Sequence, residues 1–473
     1  MTRLVRPLAV LAAVAVLAAA CSTDTTATTT TTSGAASTSA PDTATTRAPA
    51  PTPSTAAPDD AILIDGITVT DDSIYLGVLA DLSGPFSGNV VDLIDAQLAF
   101  WAKLNEEGGI AGRSIELLIV DTGYSLERHQ LLYADLVERV VMFSHSTGSP
   151  HTALIADELV VDDRLAIPVS WYSGWADPAR GANVLEVGSN YCMEAMNTLS
   201  FLAESHQTQF GELPTIAIAT DIGDYGGDSA AGARYAAAQL GLPIAYDGDG
   251  QIAFGGDLSG VIGGIASSGA DYTWLATDPI SMSTIVAGAL TFGYQGAWSG
   301  AMPTFSPRLL DTALGDYLSQ AWFLSVLYAP MGSDVPGMQD VYDVLAEAFP
   351  NRYPSDGLIK GYLEYSTTRQ ILERAAEAGD LTPEGVVAAA RDTGALFFDG
   401  ISPDNVYAGS LNETAARATA IYRPDKTIFE EQGGLNATFA EGAISPYTVL
   451  QPFSVSALAA EYEFDGPCYR LDG

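Results

Sequence analysis

Basic side chains are scarce in this chain. Lysine occurs only at Lys103, Lys360 and Lys426, and lysine plus arginine number 20 against 58 acidic residues, a formal charge of −38. A surface this acidic repels a phosphate backbone, which excludes nucleic acid as a partner. The acidity itself suits solubility or adaptation to salt. Histidine is nearly as rare, at four positions, and the four do not form a metal-ligand spacing. His145 and His151 lie near Ser146 and Ser149, yet no G-x-S-x-G elbow surrounds either serine, so a hydrolase using Ser149 and His151 is not supported. The glycines of GGDLSGVIGGIASSG do not follow a strand in G-x-G-x-x-G spacing, so neither is a dinucleotide site. Asp247-Gly248-Asp249-Gly250 lacks the further ligands of a calcium loop and is expected to be a turn between strand and helix. No cofactor, metal or reaction is implied. Beyond the N-terminus no apolar stretch is long enough for a transmembrane helix.

What is present begins with MTRLVRPLAVLAAVAVLAAAC. Arg3 and Arg6 precede an apolar run at 8–20 that is too short to span as a permanent helix. Small residues then lead into Cys21. The segment resembles a bacterial lipoprotein signal, which implies that Cys21 is diacylated and becomes the mature N-terminus; Ala18 stands where leucine is usual. Residues 22–60 are Thr, Ser, Ala and Pro, which cannot bury enough surface to offset their ordering entropy and read as a disordered tether. At 473 residues the whole chain is too long for one ordinary domain and suits two lobes plus an extension.

Residues 74–121 organise that body. An apolar run at 74–80 reads as a strand buried on both faces. Asp81-Leu82-Ser83-Gly84-Pro85 ends it. Val91, Ile94, Leu98 and Trp101 then recur at helical spacing, Gly108-Gly109 stop the helix, and 115–120 is the next strand. This is a right-handed βαβ unit that starts a parallel sheet. The alternation continues with helices expected at 126–139, 152–161, 225–240 and 281–292. Strands are expected at 140–143, 165–169, 183–187, 215–219, 271–276, 322–327, 418–423 and 447–453. Two successive runs of βα units mean two doubly wound parallel-sheet lobes, an α/β fold. Residues 330–410 contribute mainly helices, which are expected to return to the first lobe and so make a three-crossing hinge.

The wording of the opening unit, "LSGP" after the first strand and then "KLNEEGGIAGRSIELLIVD", resembles the branched-chain amino-acid type of periplasmic solute-binding protein. Asn105, Gly108, Gly109, Ile110, Gly112 and Asp121 match that family's N-x-x-GGI-x-G segment and strand-ending aspartate in order. The resemblance implies lobe I at 61–190 and 330–412, lobe II at 191–329 and 413–455, and a tail at 456–473. It also implies an interlobe cleft that closes on an amino acid or related small carboxylate or amide.

Ligands of open parallel sheets collect beyond the carboxyl ends of the strands. Gly148-Ser149-Pro150 precedes a helix there, so free backbone N–H groups and a Ser149 or Thr152 hydroxyl could hold a carboxylate, as the family's loop does; a plain cap is the other reading. By resemblance Trp171 supplies a carbonyl and Ser173 a hydroxyl and N–H to the ligand head. Two tryptophans and a tyrosine in the loop 170–175 would be costly unless covered. Tyr191 falls where the family often has an aspartate. Asp221-Ile222-Gly223-Asp224-Tyr225-Gly226 resembles the D-x-x-x-YG segment whose tyrosine closes over the ligand. Asp278 could accept from an ammonium or serve as a helix cap, and Met302 stands where amino-acid binders often carry a glutamate. With Cys21 lipidated, Cys192 and Cys468 remain as an even pair in an oxidising compartment; whether they are joined stays open.

The expectation is therefore an extracytoplasmic, monomeric lipoprotein, anchored to the outer face of the cytoplasmic membrane, that delivers a small-molecule ligand to an ABC permease. A ligand-sensing lipoprotein that signals to a partner is the alternative.

Overall fold

The computed structural model describes residues 63–64, 67–253 and 255–470. The lipidation site Cys21 and the tether at 22–60 lie outside them.

The first sheet is built from β1 (Ser73–Ala80), β2 (Ser114–Asp121), β3 (Met142–Thr147) and β4 (Ala166–Val169). All are parallel, in the order β2-β1-β3-β4. Every residue of β3 is buried, as expected for a strand covered on both faces. The helix α1 (Ser87–Glu106) connects β1 to β2, α2 (Leu126–Leu136) connects β2 to β3, and α3 (Ser149–Val161) connects β3 to β4. After α1 the chain turns through Gly108 and Gly109 at φ 109° and 66°. A Cβ on Gly109 would also stand 1.9 Å from the Arg113 carbonyl, so only glycine fits this turn.

After β4 the chain enters the second lobe with α4 (Tyr191–Phe210). There follow β5 (Ile216–Asp221), α5 (Asp224–Leu240), β6 (Ile244–Ile252), α6 (Ser259–Ser268), β7 (Tyr272–Ala276), α7 (Pro279–Thr291), β8 (Ala297–Gly300), α8 (Gly315–Ala321) and β9 (Trp322–Val326). The chain then returns to the first lobe as α9 (Met338–Ala348), α10 (Asp356–Ala378) and α11 (Pro383–Asp392). It crosses a third time to add β10 (Thr419–Pro424) and β11 (Tyr447–Ser454) to the second sheet. That sheet runs β11-β10-β9-β8-β7-β5-β6, with β10 and β11 antiparallel and the rest parallel. Two doubly wound lobes joined by three crossings are thus the architecture.

Several elements differ from the sequence reading. Residues 183–187 form no strand; Val184 makes only an isolated parallel bridge to Ala166. The third strand begins at Met142 and runs to Thr147, later than periodicity placed it. Asp247-Gly248-Asp249-Gly250 is not a turn but lies inside β6, where Arg234 bonds Asp247 at 2.7 and 2.8 Å and Asp249 at 2.7 Å. Periodicity also missed α4, α6, β6 and β8 altogether.

On α1 the buried face is Val90, Leu93, Ile94, Ala96, Gln97, Phe100 and Trp101, while Val91 and Leu98 are only half-buried. The face is wider than one apolar stripe because α10 packs against α1 from outside the sheet. A Cβ on Gly361 of α10 would stand 2.2 Å from the Leu93 carbonyl, so glycine there lets the two helices approach. Gln97 is buried on that face because its Nε2 donates to Glu364 Oε2 at 2.7 Å.

Candidate functional site

The carboxyl ends of both sheets face one another across the hinge. In the first lobe β3 is followed by Gly148 at φ 99°, the residue before α3. Ser149, the first residue of α3, is buried, and its hydroxyl hydrogen-bonds the Ser170 hydroxyl at 2.6 Å. Thr152, one turn on, is fully buried and pairs with the Ser146 hydroxyl at 2.8 Å. It therefore sits inside the lobe behind Ser149.

The aromatic loop after β4 is covered. Trp171, Tyr172 and Trp175 are all buried. The indole N–H of Trp171 donates to the Val187 carbonyl at 2.8 Å, and that of Trp175 to the Ser170 hydroxyl at 2.8 Å. The Trp171 carbonyl accepts from the Tyr191 N–H at 2.9 Å, and the Lys360 ammonium lies 4.8 Å from the Trp171 ring centre. Ser173 reaches the other lobe: its hydroxyl and N–H both donate to the Asp228 carboxylate, the latter at 3.1 Å. Its hydroxyl oxygen also accepts from the Cys468 N–H at 2.8 Å. The groups expected to serve a ligand head are taken by the protein itself.

In the second lobe Asp221 ends β5, and Asp224 and Tyr225 open α5. The half-buried Tyr225 ring packs on Tyr191 with centroids 4.6 Å apart. The Tyr225 hydroxyl lies 3.0 Å from the Thr304 hydroxyl and donates to the Thr277 carbonyl at 3.3 Å. Asp278 caps α7: one carboxylate oxygen accepts from the N–H groups of Ile280 and Ser281 at 2.8 and 3.0 Å. Its other oxygen has no hydrogen-bond partner among the described residues.

Glu194 was invisible to motif reasoning. It lies three residues after Tyr191 on α4, fully buried, and accepts from the Met302 N–H at 2.9 Å. The glutamate missing at position 302 is thus replaced in space by one from another element. Its only sequence signal would have been the helix at 191–210, which periodicity did not identify.

Burial dominates the electrostatics. It pushes Glu194 up to about 8 against the Met302 N–H and Ser325 hydroxyl, which favour the charged form. Burial likewise raises Asp221 to about 7, Asp224 to about 6 and Asp228 to about 7. The hydroxyl that holds Asp224 down comes from Ser149, on the opposite lobe. The Tyr191 and Tyr225 hydroxyls are also raised, first by burial.

One small cavity, about 30 Å³, lies elsewhere, between the first and third crossings. Trp175, Glu186, Gly188, Arg391, Asn405 and Tyr407 line it. A space of this size takes roughly one water. Among the described residues no group of three or more His, Cys, Asp or Glu side chains could hold a metal ion, and no helix could cross a membrane.

Two α/β lobes whose strand tips meet across a three-crossing hinge define a receptor that encloses a solute. The chain belongs to the periplasmic binding protein family, whose sequence model matches residues 73–427. Members of this family bind ligands outside the cytoplasm. The fold is similar to that of a fatty acid ABC transporter substrate-binding protein from Thermomonospora curvata. That match has 25% identity and a TM-score of 0.73, over 86% of this chain and 97% of that one. It is also similar to a branched chain amino acid ABC transporter protein from Thermus thermophilus with bound valine, at 16% identity and TM-score 0.68, over 83% and 98% of the two chains. A leucine binding protein from Thermotoga maritima shares the fold at 14% identity and TM-score 0.61, over 74% of this chain and 95% of that one. No curated protein matches the sequence.

Proposed function

We propose that the chain is the solute receptor of an ABC importer, tethered by a lipid on Cys21, whose interlobe cleft closes on an amino acid or a related small carboxylate or amide. The observation that carries this reading is Tyr225. It opens α5 just beyond the tip of β5 in the second lobe, packs its tilted ring on Tyr191 beside the first crossing, and anchors its hydroxyl on Thr304. A ligand entering between the lobes would meet that ring first.

In this reading Ser149 and Trp171 form the first lobe's wall, with Thr152 and Tyr191 behind them. Tyr225, Asp278 and Met302 form the wall that swings in. Ser173 acts as a clasp, because its N–H and hydroxyl close onto Asp228 from the opposite lobe. Closure is driven only by the ligand's preference for the closed state. The lobe boundaries at 190 and 329, the monomeric state and the permease partner belong to the same proposal.

Calorimetric titration with amino acids, amides and small acids, with X-ray scattering for compaction, tests it. Binding of at least one such solute with a smaller radius of gyration is the expected result. A cleft that binds none of them, or binds without compaction, removes the proposal.

A further inference from the structure

The strands β10 and β11 are paired as far as Pro424 opposite Tyr447, and antiparallel neighbours need only a tight turn between them. This chain instead places residues 425–446 there. A connection of that length is uncommon in a compact domain unless it has a role of its own. The family model stops at residue 427, so nearly all of the segment lies beyond what that model describes.

The segment is rooted in the second lobe. The Asp425 N–H donates to the Pro446 carbonyl at 2.8 Å and closes the loop at its base. Asp425 caps the short helix Lys426–Glu431, and the Lys426 N–H donates to the Ser319 hydroxyl of α8 at 3.0 Å. Phe429 is buried in the apolar cluster that holds Trp322 and Tyr422.

Its far end is docked on the first lobe. Phe439 is 3% exposed, and its ring meets that of Tyr342 on α9 edge-on, with centroids 5.1 Å apart. The Tyr342 hydroxyl faces the carbonyls of Phe439 and Ala443, at 3.2 and 3.1 Å, and donates between them. The N–H groups of Phe439 and Ala440 donate to the carbonyls of Arg352 and Pro350 at 3.1 and 2.8 Å. The turn that receives them is itself fixed on α1, where Arg352 pairs with Asp95 at 2.7 Å and Asp92 at 3.4 Å. On the way back, the Ser445 N–H donates to the Met331 carbonyl at 3.0 Å, and the Met331 N–H to the Ser445 hydroxyl at 3.1 Å. The Tyr447 hydroxyl donates to Asp356, the first residue of α10, at 2.8 Å. Undocking would leave buried polar groups unpaired and put the Phe439 ring into water, so the docked end is held firmly.

Glycines lie between root and dock. Gly433 at φ 102° and Gly434 at 63° lead in, and Gly442 at 78° leads out, conformations that glycine adopts without strain and that make these points the natural joints. The outgoing side has little slack. Ser445 and Tyr447 are both held by the first lobe, yet Tyr447 already pairs with Pro424 in the second sheet. A swing that carried the second sheet away from α10 would have to break the bond from Tyr447 to Asp356.

We propose that residues 425–446 form a check arm on the hinge. The arm stays docked on α9 and the turn at 350–352, flexes at its glycines, and stops the lobes from swinging wide. This rests on the receptor reading above and adds how far that receptor opens. Apparent affinity falls with the fraction of molecules in the binding-competent arrangement. Holding the open lobes near the closed arrangement raises that fraction and tightens binding of the solute the cleft takes.

The test is electron double resonance on the ligand-free full chain. Spin labels are carried by a keto amino acid at positions 131 and 292, whose side chains Leu131 and Phe292 are exposed on the first and second lobe, so no cysteine is disturbed. Tyr342→Phe combined with Tyr447→Phe removes the hydroxyl contacts and keeps both rings; Phe439→Ala removes the docked ring. In both variants the distance distribution should be broader than the parent's and centred at a longer distance. Affinity for whichever of leucine, leucinamide and octanoate binds the parent should weaken at least about threefold. The parent's distribution in the double tyrosine variant, with or without a lower melting temperature, overturns the inference, and that variant decides where Phe439→Ala does not fold. The receptor reading is judged on the parent alone. A shorter label distance with any of the three solutes upholds it however the variants behave. No response to any of them removes it, while the ligand-free distances still decide the arm.

Discussion

At the scale of single residues, two side chains carry distinct loads. Tyr225, which the proposed function places in the cleft, packs its ring on Tyr191 and holds its hydroxyl 3.0 Å from that of Thr304. Truncation to alanine should weaken ligand binding at least about tenfold, as for a buried aromatic anchor, with little change in melting temperature. Unaltered affinity in calorimetry would take Tyr225 out of the site. Glu364 works in the core of the first lobe instead. Its carboxylate accepts from Gln97 at 2.7 Å, lies 2.9 Å from His145 Nδ1, and stands 3.8 Å from the Lys360 ammonium, all buried. Glu364→Ala strands those three partners together and should destabilise the protein by about 3–5 kcal/mol in chemical denaturation. Neither role was equally visible beforehand. Tyr225 lies in a local motif, whereas Glu364 meets Gln97 and His145 across 267 and 219 residues, a distance no spacing rule spans.

At the scale of elements, the C-terminal tail acts as a strap. Cys468 is disulfide-bonded to Cys192 at the start of α4, across a separation of 276 residues. The same tail bonds the first lobe: the Tyr172 hydroxyl donates to the Tyr469 carbonyl at 2.7 Å, and the Cys468 N–H donates to Ser173. The tail therefore binds the aromatic loop of one lobe and the first helix of the other, beside the Ser173–Asp228 clasp. Replacing both cysteines by serine should lower stability by about 2–4 kcal/mol, read as a lower melting temperature, because so long a loop no longer restrains the unfolded chain. It should also speed ligand release, measured by stopped flow, since the strap holds the clasped side of the cleft. An unchanged off-rate would confine the tail to a stabilising role. Counting cysteines raised the pair; only the fold brought their Cα atoms to 6.4 Å.

At the scale of the whole molecule, buried carboxyls set the response to pH. Glu194 is raised to about 8, Asp221 and Asp228 to about 7, and Asp224 and Asp356 to about 6, in each case first by burial. The folded chain therefore holds protons that the unfolded chain, with ordinary carboxyl values near 4, has already lost. Stability from these groups is full below about pH 4 and declines as pH rises through the folded values, from about 6 to about 8. The net charge of −38 adds self-repulsion that acts in the same direction. Ligand-free protein should melt higher at pH 5 than at pH 8, and the difference should shrink in molar salt only by the share due to surface repulsion. A melting temperature that climbs from pH 5 to pH 8 would contradict the buried-acid account.

The sequence by itself determined the βα alternation and the family, because strand and helix periods and the glycine turn at 108–109 are local patterns. It also carried the helical return to the first lobe. Tertiary structure alone decided that 183–187 would be a single bridge, that Asp247–Asp249 would lie in a strand held by Arg234, and that Ser173 would face Asp228 rather than solvent. It alone put Glu194 where the 302 position has methionine. Those outcomes depend on which surfaces meet, and burial between distant segments decides both the fate of a polar group and its charge.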